Sequence, residues 1–204
     1  MKKIFKYSFL LIVFLSISYF FFYKKDKIIV NNKDLGQLNH LDIIISKGQS
    51  IKSKLLNLFN LSESSNYTHV GLVCKSKGLI YILHATPDGT KENAIRYDDL
   101  QTFIDLSNVS QYQIVRLKKQ KIDTIGINTI INEYKNHKYT FDYHFNNKTK
   151  NSLYCSEMIY DIFDKSNLIS FEIDLEKPIY PKKFAELEIL QSIVIRKASA
   201  NIIK

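Results

Sequence analysis

The residues in this sequence best suited to covalent chemistry are one cysteine and two histidines. Cys155 opens the stretch YCSEMIYDIF, and Met158, Ile159, Ile162 and Phe163 follow it at the spacing of an amphipathic helix. The partial positive charge at a helix N-terminus favours a thiolate and lowers the pKa of a cysteine placed there. A thiol at this point, on the inward-facing stripe of the helix, is suited to nucleophilic attack.

The two histidines lie upstream in a predicted β-hairpin formed by THVGLV and LIYILHAT. Alternate residues of a strand share a face, so Cys74 points away from His69 and is disfavoured as a nucleophile or a disulfide partner there. With the turn near residues 76 and 77, His69 pairs with His84 and their Cβ atoms lie about 5 Å apart. The pattern favours acyl transfer: His69 takes the thiol proton, His84 orients His69, and the Cys155 N–H forms part of an oxyanion hole.

The same residues permit other interpretations. A lone cysteine on an apolar stripe is often a small buried hydrophobe, and a strand histidine is often structural. Cys155, His69 and His84 could also bind zinc, although neither a close-spaced ligand pair nor a fourth ligand is evident. We therefore expect no metal and no cofactor. The remaining histidines lack a patterned context and are read as surface or loop residues: His40, His137 and His144.

Strands and helices follow one another in separate runs, which predicts an α+β domain with an antiparallel sheet. Polar residues at their starts predict helix caps: Ser50, Asp123, and Asn151 or Ser152 before the cysteine helix. The predicted elements are strands at 41–48, 68–74, 79–86, 112–118 and 192–197, helices at 50–59, 97–104, 122–137 and 155–163, and a short helix after the proline-marked loop that begins at 176.

The N-terminus differs in composition from the rest of the chain. Seventeen uncharged residues, Tyr7 to Tyr23, lie between lysines, and a helix of that length spans about 25 Å, close to the apolar thickness of a bilayer. No small-residue cleavage site follows, so an uncleaved N-terminal transmembrane helix is favoured over a cleaved signal peptide, which stays open. The predicted segments are an anchor or signal over 1–27, a polar tether over 28–40 and a domain over 41–204.

The formal charge of +9 does not indicate nucleic acid as a partner. Residues 1–27 hold six lysines and one aspartate, so five of the nine excess positive charges lie in the anchor segment. The chain has three arginines, the residue type that most often reads phosphate and guanine. A mildly basic surface facing anionic lipid or wall polymer fits this distribution better.

The stretches LDIIISKG, THVGLV, LHAT and YTFDYHF, followed by YCSEMIYDIF, resemble the permuted papain-like amidases. These are the YiiX-like, circularly permuted branch of the NlpC-type cysteine peptidases, in which the histidine strand precedes the cysteine helix. The resemblance covers residues 41–163 and implies a circularly permuted papain-like fold, with a central antiparallel sheet or half-barrel packed against helices. It implies Cys155 as nucleophile, His69 as base and His84 as the third polar residue, where the family often has glutamate.

Two further assignments follow from the resemblance. Asp42 matches the aspartate of a Gly-Asp strand-start motif, with Leu41 in place of the glycine, and is given a structural role. Tyr143 and Tyr154 are candidates for lining the pocket.

The implied function is that of a cysteine hydrolase, an amidase or peptidase acting through a thioester acyl-enzyme on cell-wall peptide or N-acyl amide bonds. Related lecithin retinol acyltransferase-like enzymes act on lipid esters, so a lipid ester or amide hydrolase or an acyltransferase is one alternative. A non-catalytic envelope-binding module, with Cys155 as core filler, is another. The expected partners are a peptide, N-acyl amide or lipid substrate and the membrane, with the catalytic domain exported to the periplasmic or extracellular face.

Overall fold

The protein is described by a computed structural model over residues 27–48, 67–87, 93–118, 122–169, 173–174 and 176–198. The strands are β1 Ile43–Gly48, β2 His69–Ser76, β3 Leu79–Ala85, β4 Ile95–Asp98, β5 Val109–Leu117, β6 Thr140–Phe141, β7 Ser152–Leu153 and β8 Leu190–Lys197. The helices are α1 Asn32–Gln37, α2 Leu100–Leu106, α3 Thr124–Asn136, α4 Cys155–Lys165 and α5 Lys182–Glu186.

Six strands form one antiparallel sheet in the order β4-β3-β2-β1-β5-β8, while β6 and β7 form a separate two-stranded parallel ladder. The α+β prediction with an antiparallel sheet is confirmed. So are the predicted strands at 41–48, 112–118 and 192–197, the short helix before β8, and the helix that Asp123 caps, with small shifts at their ends. The predicted helix at 50–59 and the apolar run at 7–23 lie outside the described residues. None of the helices within the described ranges is long and apolar enough to cross a bilayer.

The sheet carries a hydrophobic core on each face. Ile43 and Ile45 of β1 pack with α3, α4 and α5, whereas Ile44 between them packs with α2 and the N-terminal segment. This alternation follows from the period of two along a strand. The two faces, called here the α4 face and the α2 face, separate the elements that carry the site.

The β2–β3 hairpin is formed as predicted, but its register differs by two residues. Leu72 pairs with Leu83, and the turn is centred on Lys77 and Gly78, which both have positive φ. A tight hairpin turn of this kind requires positive φ at both central residues, and a glycine at the second position satisfies it. His84 therefore lies opposite Gly71, diagonal to His69, and the predicted direct pairing of the two histidines is wrong. Because the shift is even, both histidines keep the same face.

The predicted helix at 97–104 begins later than expected. Residues 95–98 form β4, which pairs with β3 so that Arg96 lies opposite His84. Asp99 then accepts a hydrogen bond from the Thr102 N–H at 2.9 Å and caps α2. Of the two adjacent aspartates, Asp98 thus belongs to a strand and Asp99 to a helix cap.

The helix that carries Cys155 begins at Cys155 itself. The predicted caps Asn151 and Ser152 are wrong: Asn151 has φ 63°, and β7 pairs with β6 immediately after it. Tyr154 is still extended, and its N–H donates to Glu157 Oε2 at 3.3 Å. The predicted inward stripe is confirmed, since Met158, Ile159, Ile162 and Phe163 are all fully buried.

Residues 28–40, predicted as a polar tether, include α1 and pack against the sheet. Ile28 and Leu38 are buried on the α2 face. The Val30 N–H donates to Gln101 Oε1 at 2.8 Å, and Arg196 Nε donates to Asp34 Oδ1 at 2.8 Å. This stretch therefore contacts both α2, on one face of the sheet, and β8, at one edge of the sheet.

Asp42 has the surroundings of a structural residue. Its carboxylate is fully buried and accepts from Arg116 Nε at 2.7 Å, from Arg116 Nη2 at 2.8 Å and from the Asn39 N–H at 2.7 Å. Leu41 before it has φ 70°, a conformation that glycine adopts without strain. The geometry explains in physical terms why a glycine suits this position of the motif.

Candidate active site

A line of hydrogen bonds joins the two predicted histidines to an aspartate and an arginine. His69 Nε2 lies 2.9 Å from His84 Nδ1, and His84 Nε2 lies 3.0 Å from Asp98 Oδ2. Arg96 donates two hydrogen bonds to the same carboxylate, from Nε at 2.8 Å and from Nη2 at 3.0 Å. Both histidines are buried. The structure thus brings His69 and His84 together and adds Asp98 and Arg96, which the sequence did not single out.

The carboxylate of Asp98 determines which nitrogens carry protons along this line. The hydrogen bond from His84, and then that from Arg96, hold the pKa of Asp98 far below its ordinary value, so the carboxylate is charged. A carboxylate only accepts, so His84 Nε2 carries a proton. In the neutral form of His84, Nδ1 then accepts from His69 Nε2. Burial, and then the proximity of His84, place the pKa of His69 well below 6.5. With both rings neutral, His69 presents an unprotonated Nδ1, the form that a general base requires.

Phe103 of α2 packs against both histidines. Its ring stacks on His69 with centroids 5.1 Å apart and meets His84 edge-on at 5.0 Å. Gly71 makes room for this arrangement, because a Cβ there would lie 2.9 Å from Phe103 Cε2 and 2.5 Å from Ile82 Cγ2. The line of histidines is thus held by packing from one side as well as by hydrogen bonds.

Cys155 is the first residue of α4 and is buried. Its sulfur lies 3.8 Å from Ser156 Oγ, and the backbone N–H groups of Val70 and Ser156 are close enough to act on its pKa. These donors favour the thiolate, but burial outweighs them and raises the pKa of the thiol. The sequence-based expectation of a lowered pKa is therefore not met, because the thiol is removed from water more completely than a helix start alone implies.

Cys155 and His69 approach the start of β2 from opposite sides of the sheet. The stripe of α4 packs with Val70 on the α4 face, whereas the ring of His69 stacks on Phe103 on the α2 face. The sulfur hydrogen-bonds the amide of Val70, the residue directly after His69, and no hydrogen bond between Cys155 and His69 is formed in the described part of the chain. The expectation that the two side chains share one face is wrong, since the helix stripe selects the face of Val70 and not that of His69.

The other residues considered from the sequence lie apart from the line. Tyr154 is buried. Its hydroxyl accepts from the Ile179 N–H at 2.7 Å and donates to Asn147, so it connects the loop that holds Ile179 to the loop that holds Asn147. Tyr143 is 65 % exposed. Cys74 is a free, buried thiol whose pKa is raised by burial to about 12. Outside the line, His40 bonds Asn128 at 3.1 Å, His137 follows α3, and His144 donates its N–H to Asp142.

The donor atoms around Cys155 do not fit a metal site. Both ring nitrogens of His84 and one of His69 are engaged in the hydrogen-bonded line. Only His69 Nδ1 and the Cys155 sulfur remain, whereas zinc in proteins has three or four protein ligands. Within the described ranges, no group of three or more His, Cys, Asp or Glu residues is arranged to hold a metal ion.

The sequence offered a weak signal for Asp98 and Arg96. The run IRYD alternates apolar and polar residues over four positions, which places Arg96 and Asp98 on one face of a short strand. The following DDL reads as a helix start and hides that pattern. Only the pairing of β4 with β3 shows that the polar face of this strand meets His84.

Comparisons with known proteins identify a family and a similar fold. A family model described as "Permuted papain-like amidase enzyme, YaeF/YiiX, C92 family" matches residues 38–191. Among solved structures, the crystal structure of metalloprotein YiiX from Escherichia coli O157:H7 is similar with a TM-score of 0.62 and 16 % identity, covering 79 % of this chain and 99 % of that chain. At this identity the likeness concerns the fold. No match is found among curated proteins.

Proposed function

This chain belongs to the permuted papain-like amidases of the YaeF/YiiX, C92 family, and we propose that it hydrolyses amide bonds through a thioester on Cys155. Membership of the family supports a cysteine hydrolase. The observation that carries the proposal is the hydrogen-bonded line from Asp98 through His84 to His69, which ends beside the amide that binds the Cys155 sulfur. The line would make His69 the base for the Cys155 thiol, which reaches the adjacent Val70 amide from the other face of the sheet.

In the first proposed step, His69 Nδ1 takes the proton from the thiol and the sulfur attacks the carbonyl carbon of the substrate. A C–S bond forms and the carbonyl oxygen becomes an oxyanion. The first N–H groups of a helix have no partner within the helix. Those of Cys155 and Ser156 are close to the sulfur before the reaction, and we propose that they donate to that oxygen once the sulfur is bonded to carbon. The step requires the thiol and Nδ1, which reach the start of β2 from opposite faces, to come within hydrogen-bond distance when substrate binds.

In the second step, His69 Nδ1 returns the proton to the leaving nitrogen, the C–N bond breaks, and a thioester and a free amine remain. Water then attacks the thioester with His69 as base, the C–S bond breaks, and a carboxylic acid leaves Cys155 protonated again. His69 is positively charged between these proton transfers. His84, backed by the charge of Asp98, stabilises that charge and holds the ring in place.

The proposed substrates are cell-wall peptides or N-acyl amides, with residues 7–23 holding the domain at a membrane and the domain exported. This placement rests on the apolar run and its flanking lysines. A lipid ester or amide substrate is the alternative that the same apolar run favours, because it would bring Cys155 close to lipid.

The test compares the two buried cysteines of the same chain. Cys155→Ala should abolish hydrolysis, whereas Cys74→Ala should retain it, since Cys74 lies on β2 away from the histidine line. Peptidoglycan fragments, N-acyl amides and phospholipid vesicles are offered in parallel, with released amine and released fatty acid as readouts. Full hydrolysis by Cys155→Ala would overturn Cys155 as the nucleophile, whereas no hydrolysis of any of these substrates by the unmodified chain would favour a non-catalytic binding module.

A further inference from the structure

A short polar strip interrupts the apolar α4 face of the sheet. Gln113 of β5 is buried, with 9 % of its surface exposed, and it points to this face because its neighbours Tyr112 and Ile114 point to the other. The Tyr67 hydroxyl lies 2.7 Å from Gln113 Oε1, and Gln111 Nε2 lies 3.3 Å from the same hydroxyl. A buried amide on this face is costly unless its polar atoms find partners.

The direction of these hydrogen bonds leaves the amide nitrogen of Gln113 unpaired. Gln111 Nε2 can only donate, so the Tyr67 hydroxyl accepts from it and donates in turn to Gln113 Oε1. Gln113 Nε2 has no partner among the described residues. Among the described residues, the side-chain polar atoms that are both fully buried and without a hydrogen-bond partner belong to Ser46, Tyr97 and Tyr112. Gln113 Nε2 also lacks a partner within the described ranges but is not among these fully buried atoms. The nitrogen and its two N–H donors therefore belong to the part of Gln113 that stays exposed.

The strand register places these donors near the thiol. Val70, Ile45 and Gln113 are consecutive partners across β2, β1 and β5. Neighbouring strands are about 4.8 Å apart, so Gln113 stands about 10 Å from Val70, whose N–H binds the Cys155 sulfur. An extended chain rises about 3.3 Å per residue, so that distance corresponds to roughly three residues.

We propose that Gln113 Nε2 donates hydrogen bonds to a backbone carbonyl oxygen of an extended peptide substrate, about three residues from the bond that Cys155 cleaves. The proposal rests on Cys155 being the nucleophile and names the substrate class of the same site. A fatty acyl chain carries only methylene groups at that distance and would cover the two N–H donors without pairing them. Tyr67 and Gln111 act as positioning residues that hold the amide in the donating orientation.

Binding of the acetyl-(Ala)n-amides, with n from one to five, to the full-length Cys155→Ala chain tests the proposal without turnover. We expect the affinity to rise about tenfold in one step near n = 3 or 4, the size of one well-made hydrogen bond to a buried donor. Gln113→Glu keeps the shape but replaces the donors with an oxygen, so the step should vanish. Gln191→Glu, at an exposed position of β8, is the matched control and should keep the step.

A second variant guards against misfolding at position 113. Tyr67→Phe removes only the hydroxyl that holds Gln113 Oε1, so the step should shrink while thermal unfolding stays close to that of the parent. A uniform rise of affinity with length, no binding of any peptide, or a step that persists in Gln113→Glu would overturn the proposal.

Hydrolysis of the matching acetyl-(Ala)n-nitroanilides separates this proposal from the one on which it rests. Cys155-dependent hydrolysis without a length step overturns only the Gln113 site. Absence of Cys155-dependent hydrolysis across all substrate classes, lipids included, overturns the proposed function itself.

Discussion

At the scale of single residues, the proposed catalysis depends on which ring nitrogens carry protons. Asp98 acts on this at a distance from the thiol, because its charge requires a proton on His84 Nε2, and a neutral His84 then leaves Nδ1 of His69 free. Replacing Asp98 by asparagine offers an N–H donor to His84 and favours the opposite tautomer. We expect Asp98→Asn to lower kcat by about 10²-fold or more, with KM little changed.

The neighbouring aspartate is the natural control for that measurement. Asp99 caps α2, and asparagine caps a helix about as well, so Asp99→Asn should leave both kcat and thermal stability close to wild type. Equal activity of the Asp98→Asn and Asp99→Asn enzymes would contradict the assigned proton positions.

The resting state of the thiol gives a second residue-scale prediction. Burial raises the pKa of Cys155 and lowers that of His69, so near neutral pH both groups are uncharged. In a Cys74→Ser chain, the rate of Cys155 alkylation by iodoacetamide should keep rising through and above pH 8.5, the value for a free thiol. A reactive plateau at pH 5 to 6 would instead indicate a preformed thiolate–imidazolium pair. The same chain unfolded in urea provides the reference curve.

The sequence predicted the chemical types at the site better than their arrangement. Cys155, His69 and His84 are recognisable because thiols and imidazoles are scarce and occur here on patterned elements. Asp98 was not, since a carboxylate next to a helix cap looks like part of the cap. The sides of the sheet were also misjudged for Cys155 and His69, because helix periodicity shows which stripe is buried but not which strand face receives it.

At the scale of elements, the packing of α2 against β2 and β3 keeps the histidine line in place. Gly71 is the residue that permits it, since a Cβ would clash with Ile82 and Phe103. We expect Gly71→Ala to lower the free energy of unfolding by about 1–3 kcal/mol through overpacking. It should also reduce kcat by pushing Phe103 away from His69. Urea denaturation and steady-state kinetics measure the two effects.

Gly36 is the matched control for that substitution. It is exposed in α1 and a Cβ there would meet nothing within 4 Å, so Gly36→Ala should be neutral or stabilising by up to about 1 kcal/mol. A Gly71→Ala protein as stable and active as Gly36→Ala would show that Phe103 is not needed against His69.

Element boundaries were predictable where local chemistry decides them and not where pairing does. Asp123 caps α3 as expected, because a cap needs only its own helix. The hairpin register was missed by two residues, although the glycine at 78 marks the second turn position that tolerates positive φ. The start of α4 depends on the β6–β7 ladder, which is too short to leave a sequence pattern.

At the scale of the whole molecule, the N-terminal segment connects α2, on one face of the sheet, with the strands β5 and β8. Gln101 of α2 accepts from its Val30 N–H, Arg196 of β8 pairs with its Asp34, and Arg116 of β5 donates to its Gln37 carbonyl. The polar composition of residues 28–40 predicted a tether, but the segment packs against the sheet. Its contacts are made by backbone groups and by the buried Asp34 carboxylate, which composition does not reveal. The segment leads directly into Asp42 and β1, so it also sets the end of the central strand.

Arg116 is the residue on which that attachment most depends, and its removal gives the last prediction. Arg116→Met leaves the fully buried Asp42 carboxylate without its cation, which should cost about 3 kcal/mol of unfolding free energy, measured by urea denaturation. Adding Asp42→Asn removes the unpaired charge while keeping an acceptor for the Asn39 N–H, so the double variant should be more stable than Arg116→Met alone. If the second substitution instead adds to the loss, Asp42 contributes through something other than its pairing with Arg116.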